Sequence, residues 1–525
     1  MKKFLPIGVQ NFAQMINGNF VYVDKTRYVY ELARVPQAFY FLSRPRRFGK
    51  SLLASTFKSL FAGQKELFKE LWIANTDWTW KPHPVVIVDF NGIDATNATI
   101  LEESLSSALD KIADSYGIAL QEHILPNKFV ELFTELHLKS REKIVVLIDE
   151  YDKPIVTHLG KGEAGLQIAR ENRDFLKKFF GVLKETHVSS ILRFVFITGI
   201  SKFSKAGIFS DLNNLQDLSM HSAYAELLGY TQTELQDCFG AWIEEFARIR
   251  QTTTEDILQS LKVWYNGYRF TLENRQVYNP FSILNTFSEY KFKNFWFETA
   301  TPSFLVNLIK EKDCSLPSFE KVEIQEAAFT TYELENLQLE ALLFQTGYLT
   351  IHDFDGFLYR LGYPNQEIKN SFLNYLYHRL VELPDTTLKA QYVRLHQYLD
   401  REEAERFIAT VNAILAAIPY PHIHGQDERY YHTVFYLMLS ASGVMVQTEA
   451  LTSHGRMDVA MEFKDKVYIV ELKCNQTAAE AIQQIHQKRY YEKYLQSGRK
   501  IYLVGINFDT DERRVTDWRF EALAG

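Results

Sequence analysis

A chain of 525 residues is too long for one ordinary hydrophobic core, so two or three domains are expected. With 46% hydrophobic and 23% charged residues it is not a disordered chain, and no apolar run reaches the roughly 18 residues of a membrane span. The net charge of -7 excludes a protein that coats nucleic acid by charge alone, although a local basic groove or a metal site remains compatible with it.

At the N-terminus two lysines precede a brief apolar stretch that Gln10 and Asn11 cut short, which is not a signal peptide. Cys238, Cys314 and Cys474 are too scattered for a disulfide framework or a zinc site and fit a reducing cytoplasm. Residues 1–220 alternate apolar runs (39–43, 83–90, 143–150 and 193–200) with helical patterns, which predicts a mainly parallel sheet covered by helices on both faces. From 221 to 420 helical patterns dominate, opening with Thr231 as a cap and Glu234 three residues later. The aromatic turns 264–270 and 277–282 read as core packing rather than as base-stacking platforms.

Pro419, Pro421 and Gly425 mark a boundary before a third segment, 421–525. There the pattern is a helix at 427–441, strands at 444–450, 457–463 and 466–473, a long helix at 477–496, and a strand at 500–508. His422 and His424 precede this domain and His432 follows on its first helix; the three match no ligand spacing, so turn histidines are expected rather than a metal set.

The first chemical signal is Gly49-Lys50-Ser51, between a strand and a helix. In a P-loop the backbone amides and helix N-terminus cradle phosphate, the lysine reaches the terminal phosphates and the serine holds magnesium. The position of the usual first glycine carries Arg44, and Pro45 removes a backbone donor. The strand ending in Asp149-Glu150 supplies the second half: Asp149 for the magnesium shell, Glu150 to orient or deprotonate the attacking water. Thr198, with Ser201 and Lys202, follows the next strand, where a polar residue can sense the γ-phosphate; simple loop polarity is the competing reading.

The second signal is Asp458, then Glu471 and Lys473. Residues 471 and 473 are two apart on a strand and share a face. A hairpin turning at Lys464-Asp465 pairs Phe463 with Lys466 and, counted back, Asp458 with Glu471. Two carboxylates and a lysine thus converge, a set that binds a hard cation such as Mg²⁺ through oxygen and positions a nucleophile. An exposed Glu–Lys salt bridge has the same spacing; the surrounding helix–strand–strand–strand–helix–strand order favours the metal site.

Residues 22–26, 44–52, 149–152 and 198–204, together with 264–268 and 278–280, resemble the AAA-ATPase-like family of bacterial proteins, whose members are commonly fused to a PD-(D/E)XK nuclease-like domain. The resemblance runs over essentially the whole chain. It implies an α/β protein with an N-terminal P-loop (ASCE/AAA-like) sheet in 1–220, a mainly helical lid and connecting region in 221–420, and a small restriction-endonuclease-like α/β domain in 421–525. It implies nucleotide contacts at Arg46, Arg47, Gly49, Lys50, Ser51, Leu52, Asp149 and Thr198. In the last domain it implies a further metal ligand at Glu428 (Glu449 is a rival), a catalytic role for Gln484 beside Asp458, Glu471 and Lys473, and phosphate contacts from Lys488 and Arg489, for which a solvated helix face is the competing reading.

The expectation is therefore a cytoplasmic, ATP- and Mg²⁺-dependent ATPase joined to a nuclease acting on DNA or RNA, with self-assembly left open. The alternative is a nucleotide-switched scaffold whose nuclease-like domain only binds nucleic acid or a protein.

Overall fold

The computed structural model describes residues 3–523 except 203–207, 210–211, 213, 297–321, 330–337, 382–393, 417–427 and 453–454. The chain divides into two compact units, one running to Ile368 and the other from Lys369 to the C-terminus. The second unit therefore includes helical residues ahead of 421, among them the helix Ala404–Ala416. No described helix is long and apolar enough to cross a membrane.

The first unit is built on strands β1 (Ala38–Ser43), β2 (Val85–Asp89), β3 (Ile144–Asp149), β4 (Leu192–Gly199) and β5 (Leu215–Asp217), hydrogen-bonded in the order β2-β3-β4-β1-β5. Every pairing is parallel. β1 and β3 are buried at every position, as expected of strands covered on both faces. Because β4 lies between β1 and β3, their C-terminal ends open side by side around Gly199.

The helix Lys50–Phe61 is fixed to the sheet by rings: Phe57 lies 4.9 Å from Phe194 and 5.0 Å from Phe196, and Phe61 lies 4.9 Å from Phe194. This packing holds the helix start at the end of β1. β5 was not expected; three residues are too few to show a period.

Thr231 and Glu234 form the anticipated capping box of the helix Gln232–Arg250. That helix packs with Thr254–Tyr265 and Pro280–Glu289 around Phe239, Phe246, Leu261, Ile283 and Phe287. Tyr265, Tyr268 and Tyr278 are fully buried, so the aromatic turns are core. The helical region also carries an unexpected antiparallel sheet, β6 (Val322–Gln325), β7 (Thr350–Phe354) and β8 (Leu358–Gly362), in the order β6-β8-β7.

In the second unit the helix Glu428–Ala441 precedes β9 (Met445–Thr452), β10 (Gly455–Glu462), β11 (Lys466–Cys474), β12 (Lys500–Asp509) and β13 (Arg514–Ala522), which form one sheet in the order β13-β12-β11-β10-β9. Two expectations are corrected. The helix read as 477–496 stops at Lys488, because Arg489 takes a left-handed φ of 49° and the chain continues as a 3-10 turn, Tyr490–Tyr494. The strand β13, absent from the sequence reading, closes the sheet beyond β12.

The helix Ala478–Lys488 lies so close to the sheet that a Cβ on Gly505 would stand 2.4 Å from the Ala478 carbonyl oxygen. Gly505→Ala is expected to push this helix outward and destabilise the second unit by about 1–3 kcal/mol, read by denaturant unfolding; unchanged stability would show that the close contact is not a constraint.

Candidate functional site

In the first unit, Gly49 adopts a left-handed φ of 97° and starts the helix Lys50–Phe61 without a side-chain cap. The first amides of the helix are therefore open to an anion. Lys50, almost fully buried, donates to the carbonyls of Arg44 (3.1 Å) and Pro45 (3.2 Å) and lies 3.3 Å from Glu150. Arg46, Arg47, Gly49, Lys50, Ser51, Leu52 and Glu150 all line one cavity of about 740 Å³.

Asp149 and Thr198 sit behind this surface. Thr198 is fully buried and donates to Asp149 Oδ1, so it acts through that carboxylate and does not line the cavity. Burial pushes the Asp149 carboxyl up, opposed by hydrogen bonds from Ser51 and Thr198. The Ser51–Asp149 contact joins the two halves of the motif as a magnesium–phosphate site requires.

Arg44 turns away from the loop. Its buried guanidinium donates to the carbonyls of Ser43 (3.0 Å), Ser219 (2.6 Å) and Tyr224 (3.3 Å) and lies 4.2 Å from the Phe270 ring centre. Burial pulls its pKa down to about 9. The rest of the loop is gripped in the same way: Trp296 Nε1 donates to Arg46 O at 2.9 Å, Phe48 packs 4.8 Å from Tyr268, and Pro45 fills the space beside Gly347. Side chains thus hold a loop shape that glycines would otherwise permit.

Asp152 ends the stretch 149–152 and has no role evident from the sequence. It is fully buried and accepts from Ile200 N (3.1 Å), Ser201 N (2.8 Å) and Ser201 Oγ (2.6 Å), tying the turn after β3 to the end of β4. Burial first, and Glu150 second, push its carboxyl up to about 6. Lys202 pairs with Asp217 at 3.2 Å.

In the second unit the hairpin register is Val459↔Val470 through Glu462↔Val467, closed by Phe463 N to Lys466 O at 2.9 Å. The same register carries Asp458 to the level of Glu471, and Asp458 Oδ2 accepts from Leu472 N at 2.9 Å, its carboxylate serving as an acceptor just beyond the ladder. Lys473 Nζ lies 3.2 Å from Glu471 Oε1 and 2.9 Å from Gln484 Oε1, while Gln484 Nε2 donates to Glu471. Asp458, Glu471, Lys473 and Gln484 therefore converge.

Burial first, then the Asp458 charge, raises the Glu471 carboxyl to about 7; Lys473 and Gln484 oppose the rise. Glu471 Oε2 is buried without a hydrogen-bond partner among the described residues. A cation with oxygen ligands would satisfy this atom and offset the Asp458 charge that acts on Glu471. Among the described residues no group of three or more acidic, histidine or cysteine side chains forms a ready cage. A cation here would therefore take two carboxylates and keep several waters, the usual habit of Mg²⁺. The side chains of Glu428 and Glu449 lie outside the described residues, as do His422 and His424.

His432 lies on the helix Glu428–Ala441, where the pattern places it, and its Nε2 is 4.0 Å from Asp458 Oδ2, a contact that no ligand spacing announces. Tyr490, also without an assigned role, is buried and hydrogen-bonded with Gln484. Lys488 and Arg489 are exposed, and Arg489 pairs with Glu492 at 3.3 Å.

Two family profiles match the chain: one described as "Predicted AAA-ATPase" over residues 6–209 and one of the PD-(D/E)XK nuclease superfamily over 426–518. A protein of Azotobacter chroococcum mcd 1, "Uncharacterized protein in vnfD 5'region", is 38% identical over 533 residues, covering 99% of each chain. The chain belongs to the AAA-ATPase-like family, with a C-terminal PD-(D/E)XK nuclease-superfamily domain. Among solved structures, a chain of Drosophila ORC bound to poly(dA/dT) DNA and Cdc6 matches at 12% identity with a TM-score of 0.24, over 78% of this chain and 61% of that one. That is too low to define a shared fold. In family terms, the loop around Lys50 belongs to the AAA-ATPase-like module and the Asp458–Glu471–Lys473 group to the nuclease-superfamily module.

Glu471 generates a stability prediction. Its folded pKa, about 7, lies above the ordinary 4.5, so the fold binds this proton more tightly than the unfolded chain does. The second unit therefore loses stability as pH rises between those values, and the cost is complete above about 7. Glu471→Gln should be more stable than the parent above pH 7 by on the order of 1–3 kcal/mol, with the difference shrinking towards pH 4.5. Thermal unfolding across that range checks it; a pH-independent difference would contradict it.

Proposed function

We propose that the chain is an ATP-binding ATPase joined to a Mg²⁺-dependent nuclease that acts on DNA or RNA phosphodiesters in the cytoplasm. One observation carries the nuclease half: two acids and a lysine converge across a hairpin, with a buried Glu471 oxygen left unsatisfied.

In the first unit, phosphate at the open start of the helix Lys50–Phe61 would draw Lys50 away from Glu150. Glu150 is then free to orient or deprotonate water, while Ser51 and Asp149 would hold the magnesium shell, with Thr198 fixing the Asp149 carboxylate. In the second unit a divalent cation would supply Lewis acidity at Asp458 and Glu471 when bound. Gln484 holds Glu471 and Lys473 in one arrangement, and Lys473 offers its ammonium to the nucleophile or to the developing phosphate charge. The raised pKa of Glu471 favours this reading over an exposed salt bridge, because perturbed acids cluster at functional sites.

A Mg²⁺-titrated assay on single- and double-stranded DNA and on RNA, with and without ATP, tests both halves. Asp458→Ala is expected to lower cleavage by about a hundredfold or more with ATP binding intact, and Lys50→Ala to lower phosphate release by a similar factor. Undiminished cleavage by Asp458→Ala removes the nuclease assignment. Absence of cleavage by the parent on every substrate, with ATP turnover retained, supports the scaffold alternative.

A further inference from the structure

Glu367 is a fully buried acid that neither the phosphate chemistry nor the hairpin chemistry uses. It sits in the first turn of the helix Gln366–Val381. A buried carboxyl group costs free energy unless its oxygens are hydrogen-bonded. Glu367 Oε2 accepts from Ser282 Oγ and Oε1 accepts from Trp296 N, both at 2.7 Å. Trp296 is buried as well, with its ring centre 5.3 Å from that of Tyr348, and its indole N–H donates to Arg46 O at 2.9 Å. A buried acid thus fixes the residue that fixes the phosphate loop.

What Trp296 holds is a strained peptide. Arg46 O belongs to the same peptide unit as Arg47 N, and Arg47 takes a left-handed φ of 65°, which a residue with a Cβ adopts only at a cost. Gly49, two residues on, takes φ 97° without that cost. Left-handed residues in such a loop turn successive amides to one side and make a concave seat for an anion. If the Arg46–Arg47 peptide turned over, its carbonyl oxygen would face the phosphate and repel it. Lys50 also steadies the loop, through Arg44 O and Pro45 O, but a bound phosphate claims its ammonium. The Trp296 hydrogen bond faces no such competition.

We infer that Trp296 and Glu367 are positioning residues for the nucleotide, although neither lines the cavity. Trp296 keeps the Arg46–Arg47 peptide turned with its amide towards phosphate, and Glu367 keeps Trp296 in place. The inference rests on the nucleotide reading of the Lys50 loop and extends it to side chains remote from the ligand.

The test is a double-mutant cycle on the full chain, with melting curves to verify folding. It is read as the affinity for a fluorescent ATP analogue with Mg²⁺, and as KM and kcat for phosphate release. Trp296→Phe keeps a ring against Tyr348 and loses the N–H. It is expected to weaken binding and raise KM by about three- to tenfold, the scale of one hydrogen bond, with kcat within about twofold. In an Arg47→Gly background, where a left-handed φ costs nothing, the same substitution should change affinity by less than about twofold. Equal losses in both backgrounds mean a purely structural role and overturn the proposal. If Trp296→Phe alone does not fold, the double variant with Arg47→Gly is expected to fold, and its failure also overturns the proposal. Glu367→Leu should repeat both the loss and its suppression by Arg47→Gly, whereas Glu367→Gln, which retains an acceptor for Trp296 N, should bind within about twofold of the parent. Any other pattern, including failure of both Glu367→Leu proteins to fold, overturns the part assigned to Glu367. Unchanged affinity in folded Trp296→Phe, with binding still dependent on Lys50, overturns the proposal and leaves the phosphate site standing. Failure of the parent to bind the analogue overturns the nucleotide reading and the proposal with it.

Discussion

The register of one β-hairpin decides what the second unit can do. With the turn at Lys464 and Asp465, Val459 pairs with Val470, and the side chains of 458, 471 and 473 fall on one face. A slip of a single residue would turn either partner's side chains to the other face. The register is held by buried Val459, Ala460, Met461, Val467, Ile469 and Val470, and by the Asp458 carboxylate on Leu472 N. The helix carrying Gln484 then settles against Gly505, where only a missing side chain allows that approach. Packing of neutral residues thus buries Glu471 and holds Asp458 beside it, and its carboxyl is raised first by that burial and second by the Asp458 charge.

The first unit solves a related problem with different means. Its phosphate loop has one left-handed glycine, Gly49, preceded by arginines and a proline. Loop shape is enforced from outside, by Phe270 under Arg44, Trp296 on Arg46 O, Tyr268 against Phe48 and Gly347 beside Pro45. All of these partners come from chain beyond residue 260, so the loop and the helical region form one packed structure rather than a loop with a detachable cover. Lys50 bound to two loop carbonyls and Glu150 keeps the cationic group and the acid of the site in mutual contact.

Much of this was legible in the residues, for identifiable reasons. Long apolar runs of β1, β3 and β4 state their own burial, Thr231 and Glu234 announce a helix start, and the even period of a hairpin fixes Asp458 against Glu471 once the turn is placed. What was illegible depends on distant partners or weak patterns. Arg44 departs from the common P-loop pattern, and what its side chain does shows only with Ser219, Tyr224 and Phe270 beside it. His432 has no ligand spacing in the chain and meets Asp458 only through helix-to-sheet packing. β13 has few buried positions and carries Arg514, Asp517, Arg519 and Glu521, so its alternation was hidden. Arg489 has no sequence mark for the left-handed turn that ends its helix.

The central claim is that the hairpin acids form a cation site. Titration of nucleotide-free full-length protein with Mn²⁺, followed by electron paramagnetic resonance, measures it without reference to any substrate. The account predicts a tightly bound ion that is lost in Asp458→Asn and kept in Lys50→Ala, because the two sites are built from separate residues. Equal Mn²⁺ uptake by the parent and by Asp458→Asn would contradict it.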